Sequence, residues 1–206
     1  MSLDSVGRWA KGDYYGPALT QTDLYLLDIP LELHPVFRRA DPKFILHFDL
    51  TNGQTIGYDP SDPSVTLTMT QKDHPATLPR VCQVIIITKN SPWCTIVTND
   101  SGVTVQDICI KLWQEYSQNT VTDAELGSLS PLLQDRIRRM ANSRAQWTQG
   151  YQPYSQPHQN MQLKRYDWLM DRVTFECLTK DATADNYIKQ RLGFTAPNIF
   201  LMELTS

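Results

Sequence analysis

Two residues in the first third of the chain have the spacing of a small catalytic or metal-binding unit. His47 and Asp49 sit two apart in a run where Phe44, Leu46, Phe48 and Leu50 alternate with more polar residues. On a strand this spacing places both side chains on one face, where they can share a metal ion or pair as base and orienting acid. The competing reading is a polar outer face opposite the Phe44, Leu46 and Phe48 core face. They are the weak catalytic candidates of the sequence. His34 and His74 each precede a proline, which drives the backbone extended and makes the ring a turn decoration. Only the fold can bring them to His47. Arg165 and Asp167 flank Tyr166 ahead of a predicted strand, and alternation would set both on one side. There they either ion-pair to pin the chain or, with Arg144 from a helix, bind an acidic group of a ligand. Tyr151, Tyr154 and His158 lie in the Gln- and Pro-rich stretch TQGYQPYSQPHQNMQL, residues 148–163, a composition suited to docking on a partner. Cys94 beside Trp93 is the least poor nucleophile, since it would need an electropositive, partly open pocket.

Several chemistries have no support. The nine glycines are dispersed, and none follows a strand in a phosphate-cradling arrangement. There is no G-x-S-x-G turn to expose a serine. Cys82, Cys94, Cys109 and Cys177 form no close pair, so a zinc site is not expected, nor any other metal site or cofactor. The cysteines read as buried apolar residues in a reducing compartment.

The chain has 206 residues, 41% of them hydrophobic, and a formal net charge of -3. That size fits one domain. No apolar run approaches the roughly 18 residues of a membrane span, and Met1 to Gly16 has no signal-peptide core. The expectation is a soluble protein with no membrane partner, in the cytoplasm, with the nucleus also open. Arg136, Arg138, Arg139 and Arg144 make a basic face on one predicted helix. With a pI near 5.8 and no aromatics interleaved for base stacking, nucleic acid is an unlikely partner.

The positioning elements follow from periodicity. A hairpin is predicted over 44–58 with Asn52-Gly53 as its two-residue turn, a strand over 65–70, and a second hairpin joining 84–87 to 93–98. These strands are expected to form most of a sheet. Val105, Ile108, Cys109, Leu112, Trp113 and Tyr116 then make one helical stripe, with Thr104 as N-cap and Asp107 at N3. Thr122 and Glu125 repeat the capping-box spacing before a short helix ending near Gly127, and Ser130-Pro131 starts a third that runs to about Trp147. Val173, Phe175 and Cys177 alternate as a strand, Asn186 to Leu192 is a short helix, and Ile199 to Leu204 is a strand buried on both faces. Residues 1–40 read as an irregular lead-in in which Tyr14, Tyr15 and Leu24 to Leu27 pack against the domain.

Several segments share their order and spacing with one family. They are Leu33-His34-Pro35, Phe48-Asp49-Leu50, Pro75-Ala76-Thr77-Leu78-Pro79, Ser91-Pro92-Trp93, Val103 to Ile108, Arg144, Arg165 to Leu169, and Phe175 to Leu178. Over roughly residues 33–204 the chain resembles the fungal family catalogued as domain of unknown function 6699. The resemblance implies a mushroom-type fungal source and an intracellular single-domain protein, and brings no activity with it.

These readings predict an α+β protein: a single domain with a mostly antiparallel β-sheet covered on one side by helices inserted between strands. The domain spans 41–206, with an exposed Gln/Pro/Tyr-rich loop at 148–163. The function expected is a non-catalytic binding or protein-interaction module contacting an unknown protein partner or small ligand through Arg144, Arg165, Asp167, Tyr151 and Tyr154. The alternative is a small-molecule enzyme or ligand carrier whose pocket gathers His47, Asp49, Arg144, Arg165 and Asp167. Weak nucleic-acid binding through the arginine-rich helix is the second alternative.

Overall fold

Local capping signals set the helices, and alternation sets the strands. The computed structural model describes residues 8–9, 16–149 and 162–206, without the side chains of 145–149. Helix α1 (Gln21–Leu27) starts at a capping box in which Thr20 and Asp23 exchange hydrogen bonds. Strand β1 (Glu32–Leu33) and a 3-10 turn (Pro35–Arg38) follow. Then come β2 (Ile45–Asp49), β3 (Thr55–Asp59), β4 (Asp62–Thr68), β5 (Thr77–Leu78), β6 (Gln83–Thr88) and β7 (Cys94–Thr98). Helix α2 (Val105–Trp113) begins at the predicted box: Asp107 N–H donates to Thr104 Oγ1 at 3.2 Å and Thr104 N–H to Asp107 Oδ2 at 2.9 Å. A second box, Thr122 with Glu125, opens α3 (Asp123–Gly127), and Pro131 occupies the first position of α4 (Pro131–Gln149). The chain ends with α5 (Arg165–Trp168), β8 (Thr174–Thr179), α6 (Ala182–Leu192) and β9 (Ile199–Thr205).

Seven strands form one sheet in the order β4-β3-β2-β8-β9-β6-β7. Every neighbouring pair is antiparallel except β6 and β9. The α+β class and the mostly antiparallel sheet are therefore as the sequence predicts. The two hairpins, however, stand at opposite ends, and β8 and β9 fill the centre between them. Phe48 pairs with Phe175, Phe175 with Leu204, and Ile86 with Phe200. Being central, β9 is buried on both faces.

That double burial corrects the expectation of helices on one side only. Ile86, Phe200, Met202 and Leu204 face a large core with Val105, Ile108 and Leu112 of α2, whereas Ile87, Ile199 and Leu201 pack with Ala184 and Ile188 of α6. Since successive residues of a strand point to opposite faces, α2 and α6 cover opposite sides. A third cluster joins Leu126 of α3 to Ile137 and Ala141 of α4 and to Leu163. Leu163, expected at the end of an exposed loop, is buried there. In β8 a register shift between Phe175 and Cys177 breaks the predicted alternation. The extra residue turns Leu178 into the core and leaves Cys177 half-buried.

The lead-in is also more ordered than predicted. Leu24, Leu33, Val36 and Phe37 enter the main core. Tyr25, Leu26 and Leu27, expected to pack, are instead 85%, 72% and 53% exposed, because this short helix turns only its Leu24 side inward. Tyr14 and Tyr15 lie outside the described residues.

Asn52-Gly53 is not a two-residue turn but part of a longer connection, 50–54, between β2 and β3. Gly53 has φ +72°, and a Cβ there would meet the Trp113 ring at 2.7 Å. Gly53→Ala is expected to cost roughly 2 kcal/mol, through backbone strain and displacement of that ring. Urea unfolding would show this, and an unchanged midpoint would refute the packing role of Trp113.

Candidate functional site

The segment ahead of β8, where alternation was expected to set Arg165 and Asp167 on one side, is the short helix α5, which corrects that placement. Its helical turn sends the two side chains to different partners. Asp167 is 4% exposed, accepts Lys164 N–H at 2.8 Å, and pairs with Arg144 of α4 at 3.1 Å. Arg144 also donates to Tyr166 O and lies over the Tyr166 ring, 5.5 Å from its centroid. Burial pushes the Asp167 carboxyl above its ordinary value; the Lys164 N–H and the Arg144 charge oppose that without cancelling it. The expected grouping of Arg144 with Asp167 therefore exists, as an internal ion pair. It ties α4 to the chain beyond residue 161, and Val121 N–H donating to Leu163 O fastens the same junction.

Arg165 belongs to an aromatic cluster. Its guanidinium lies 4.5 Å from the centre of the Trp93 ring and ion-pairs with Glu115. Glu115 and Tyr116 sit in a π-helical turn, Gln114–Gln118, that closes α2, and such turns re-aim side chains. Tyr116 points into the core, its hydroxyl 2.8 Å from Ser91 Oγ, and burial pushes its pKa up to about 12. Trp93 meets Trp168 edge-on at 5.2 Å and donates through Nε1 to Glu125 Oε1 at 2.6 Å. Glu125 thus serves both its capping box and the indole. Burial works against its charge, but the hydrogen bonds from Trp93 and Thr122 prevail and hold it below the usual carboxylate range. The Ser91-Pro92-Trp93 and Arg165 to Leu169 segments meet here as a packed cluster.

The other candidates stand apart. His47 and Asp49 share a face of β2, with His47 exposed. Asp49 Oδ1 accepts both the N–H and the hydroxyl of Thr51 at 2.7 Å, so the carboxylate orients a local turn and not the imidazole. Tyr151, Tyr154 and His158 lie outside the described residues. Arg136, Arg138 and Arg139 are exposed on α4, while Arg144 is drawn into its pair with Asp167. All four cysteines are free. Burial raises the thiol pKa of Cys82 and Cys177, and that of Cys109 to about 12, the reverse of nucleophile activation. Among the described residues no three His, Cys, Asp or Glu side chains gather as a metal site, and no helix is long and apolar enough to cross a membrane.

What sequence reasoning missed is an open groove of about 690 Å³. Leu33, Leu78, Leu178 and Phe200 form its floor, Pro30, Leu31 and Pro79 its sides, and Arg8, Glu32, Arg38 and Lys180 its charged rim. None of the five residues offered for a pocket lines it. Strands β1 and β5 pair antiparallel, Leu33 opposite Thr77 and Glu32 opposite Leu78, which brings the two leucines together. The signal was the pair of His-Pro dipeptides, because His34 and His74 flank these strands and meet. Val36 N–H donates to His34 Nδ1 at 3.2 Å, which assigns the His34 proton to Nε2, 3.3 Å from Nδ1 of His74.

Burial, with the His74 and Arg38 charges, lowers the His34 pKa from 6.5 to about 4. His74 is also lowered, by burial, against the pull of Asp73 and Asp41. The fold holds His34 neutral where the unfolded chain takes a proton, so its stabilisation is complete above about pH 6.5 and lost as pH falls through about 4, and the lowered His74 acts in the same sense. The thermal midpoint is expected to drop across that window. His34→Asn keeps an acceptor for Val36 and does not titrate, so its curve should be flatter; a parallel curve would assign the acid loss elsewhere.

Together these features define an α+β domain on a seven-stranded sheet, with an internal arginine–aromatic cluster on the α2 side and an open apolar groove beside the β1–β5 ribbon. The chain belongs to a family of unknown function, DUF6699, whose model matches residues 46–186. No curated protein and no solved structure matches it.

Proposed function

We propose that this protein is a non-catalytic protein-interaction module whose contact surface is the groove together with the exposed turn of α1. The observation that carries the reading is the chemistry of that face. Leu33, Leu178 and Phe200 close the base of the groove as buried core, Pro30, Leu31, Leu78 and Pro79 bring apolar carbon to its mouth, and Pro30 and Leu31 continue the chain from the exposed Tyr25, Leu26 and Leu27 into the groove wall. Exposed apolar surface of this kind, rimmed by charge, suits a protein partner. Glu32, the carboxylate at the groove, is taken by Arg8 at 2.7 Å and Arg38 at 3.6 Å, so it is a rim ion pair and not an acid or base poised on a substrate. Arg144, Arg165 and Asp167 support the module by holding both ends of the stretch that carries Tyr151 and Tyr154, which we retain as proposed contacts. The free cysteines agree with a reducing compartment, cytoplasm or nucleus.

The test is affinity capture from extract of the source organism in reducing buffer, read by mass spectrometry. The wild type is compared with Tyr25→Asp and with Tyr151→Ser/Tyr154→Ser. A partner held by the wild type and lost from Tyr25→Asp supports the groove face. One lost only from the tyrosine pair moves the contact to residues 148–163, and an empty capture overturns the reading.

A further inference from the structure

We infer that two copies of this chain pair edge to edge through β7, strand against antiparallel strand, so that their two sheets become one. The contact involves neither the groove nor α1 and stands independently of the function proposed above.

The direction of the backbone groups carries the argument. β7 ends the sheet and, among the described residues, pairs only with β6. Ile85 of β6, opposite Ile96, donates its N–H away from β7 to Asn198 O at 2.9 Å, and Asn99 N–H donates to Cys82 O at 2.9 Å. Backbone groups alternate sides along an antiparallel pair, so Thr95 and Val97 bond β6 while Cys94, Ile96 and Thr98 turn their N–H and C=O groups outward. These three residues are exposed, Ile96 by 47%. The opposite edge of the sheet is guarded against such pairing. There β4 carries Asp62 and Pro63, and its register with β3 shifts at Tyr58 and Asp59. β7, Cys-Thr-Ile-Val-Thr, has no charge, no proline and no shift of register. An edge left open on a sheet whose other edge is guarded is suited to being paired.

Symmetry selects the second copy as the occupant. The outward residues Cys94, Ile96 and Thr98 run small, large, small, the same order from either end. A two-fold axis at Ile96 therefore sets Ile96 against its own counterpart and Cys94 against Thr98 of the other copy, each facing pair exchanging two hydrogen bonds. The same axis brings Asp100 opposite Pro92. There the Arg191 guanidinium donates to Ser91 O at 2.8 Å and to Trp93 O at 3.4 Å, and among the described residues it has no carboxylate partner. Asp100 is exposed and has no cation partner among them. One end of the strand thus carries a cation and the other an anion, and an antiparallel second copy matches both ends at once. Pro92 has no N–H to give, which ends the ladder and opposes slippage of the register.

Sedimentation velocity of the full chain, with amide exchange read residue by residue, tests this. A concentration-dependent dimer is expected, predominant at about 100 μM. As it forms, exchange at Cys94, Ile96 and Thr98 should slow about tenfold, whereas Thr95 and Val97, already bonded to β6, should be protected at every concentration. Ile96→Lys sets like charges face to face on the axis and should weaken the dimer about a hundredfold. Thr98→Pro removes an outward N–H but no bond to β6, and should weaken it to a similar extent, about a hundredfold. Asp100→Lys meets Arg191 and should weaken it about tenfold. Circular dichroism checks the fold of each variant, and Tyr25→Asp should leave the dimer unchanged. A monomer at every concentration, a dimer indifferent to Ile96→Lys and Thr98→Pro, or outward amides whose exchange ignores concentration would overturn the inference. A monomer that binds a different, extended chain through β7 overturns it as well, and none of these results bears on the groove.

Discussion

Replacing Trp93 by alanine is expected to lower the unfolding free energy by about 4 kcal/mol, the loss typical of a large aromatic removed from a packed site. Trp93 is only 8% exposed and touches several elements at once. It lies edge-on to Trp168 of α5 at 5.2 Å and to Tyr116 of the π turn at 6.3 Å, supports Arg165 at 4.5 Å, and donates to Glu125 of α3. Truncation leaves a cavity, removes the cation–π contact, and deprives Glu125 of the N–H that helps hold its charge. Trp93→Phe separates these effects. It keeps most of the ring and loses the donor, so its cost is expected at roughly 1.5 kcal/mol. Urea unfolding of the three proteins checks both. A loss below about 1 kcal/mol in Trp93→Ala would mean that the cluster is loosely packed and does not join α3, α5 and the end of α2.

Arg144→Ala is expected to cost about 3 kcal/mol near neutral pH, because it leaves Asp167 charged and buried without its cation. The pH dependence distinguishes this from simple loss of packing. Burial already holds the Asp167 carboxyl above its ordinary 3.8, and removing the guanidinium raises it further. A carboxyl with a raised folded-state pKa contributes its stability in full below the unfolded value and loses it as pH rises through the folded one. The deficit of Arg144→Ala should therefore be greatest near pH 7 and shrink as pH falls toward 3.8. Adding Asp167→Asn should recover part of the deficit at neutral pH by deleting the stranded charge. A deficit constant with pH and untouched by Asp167→Asn would show that Arg144 acts through its stem and the Tyr166 ring.

Much of the secondary structure was legible because its causes are local. The boxes Thr104–Asp107 and Thr122–Glu125, the proline opening α4, and the alternation in β6 and β7 each depend on a few adjacent residues. The stripe of α2 also marked its buried face. Local signals failed where two conformations suit the same residues. Arg165-Tyr166-Asp167-Trp168 reads equally as alternating, extended chain ahead of a strand, and it is a helical turn because Asp167 reaches back to Lys164 N–H and a cation waits on α4. Likewise Asn52-Gly53 suits a tight hairpin, but the Trp113 ring lies against Gly53 within a wider connection.

By itself the sequence determined the α+β class, the helix starts, the apolar character of both faces of β9, and the polar character of the His47 and Asp49 face, all legible in patterns spanning a few residues. Tertiary structure alone decided that β8 and β9 separate the two hairpins and that α2 and α6 take opposite sides of the sheet. It also decided that Arg165 answers to Glu115 and Trp93, that His34 meets His74, and that Leu33 and Leu78 floor a groove beside an exposed α1 turn. The physical reason is separation along the chain. Residues 40 or more positions apart, such as His34 and His74 or Glu115 and Arg165, meet only when the whole sheet is assembled and its apolar faces are covered.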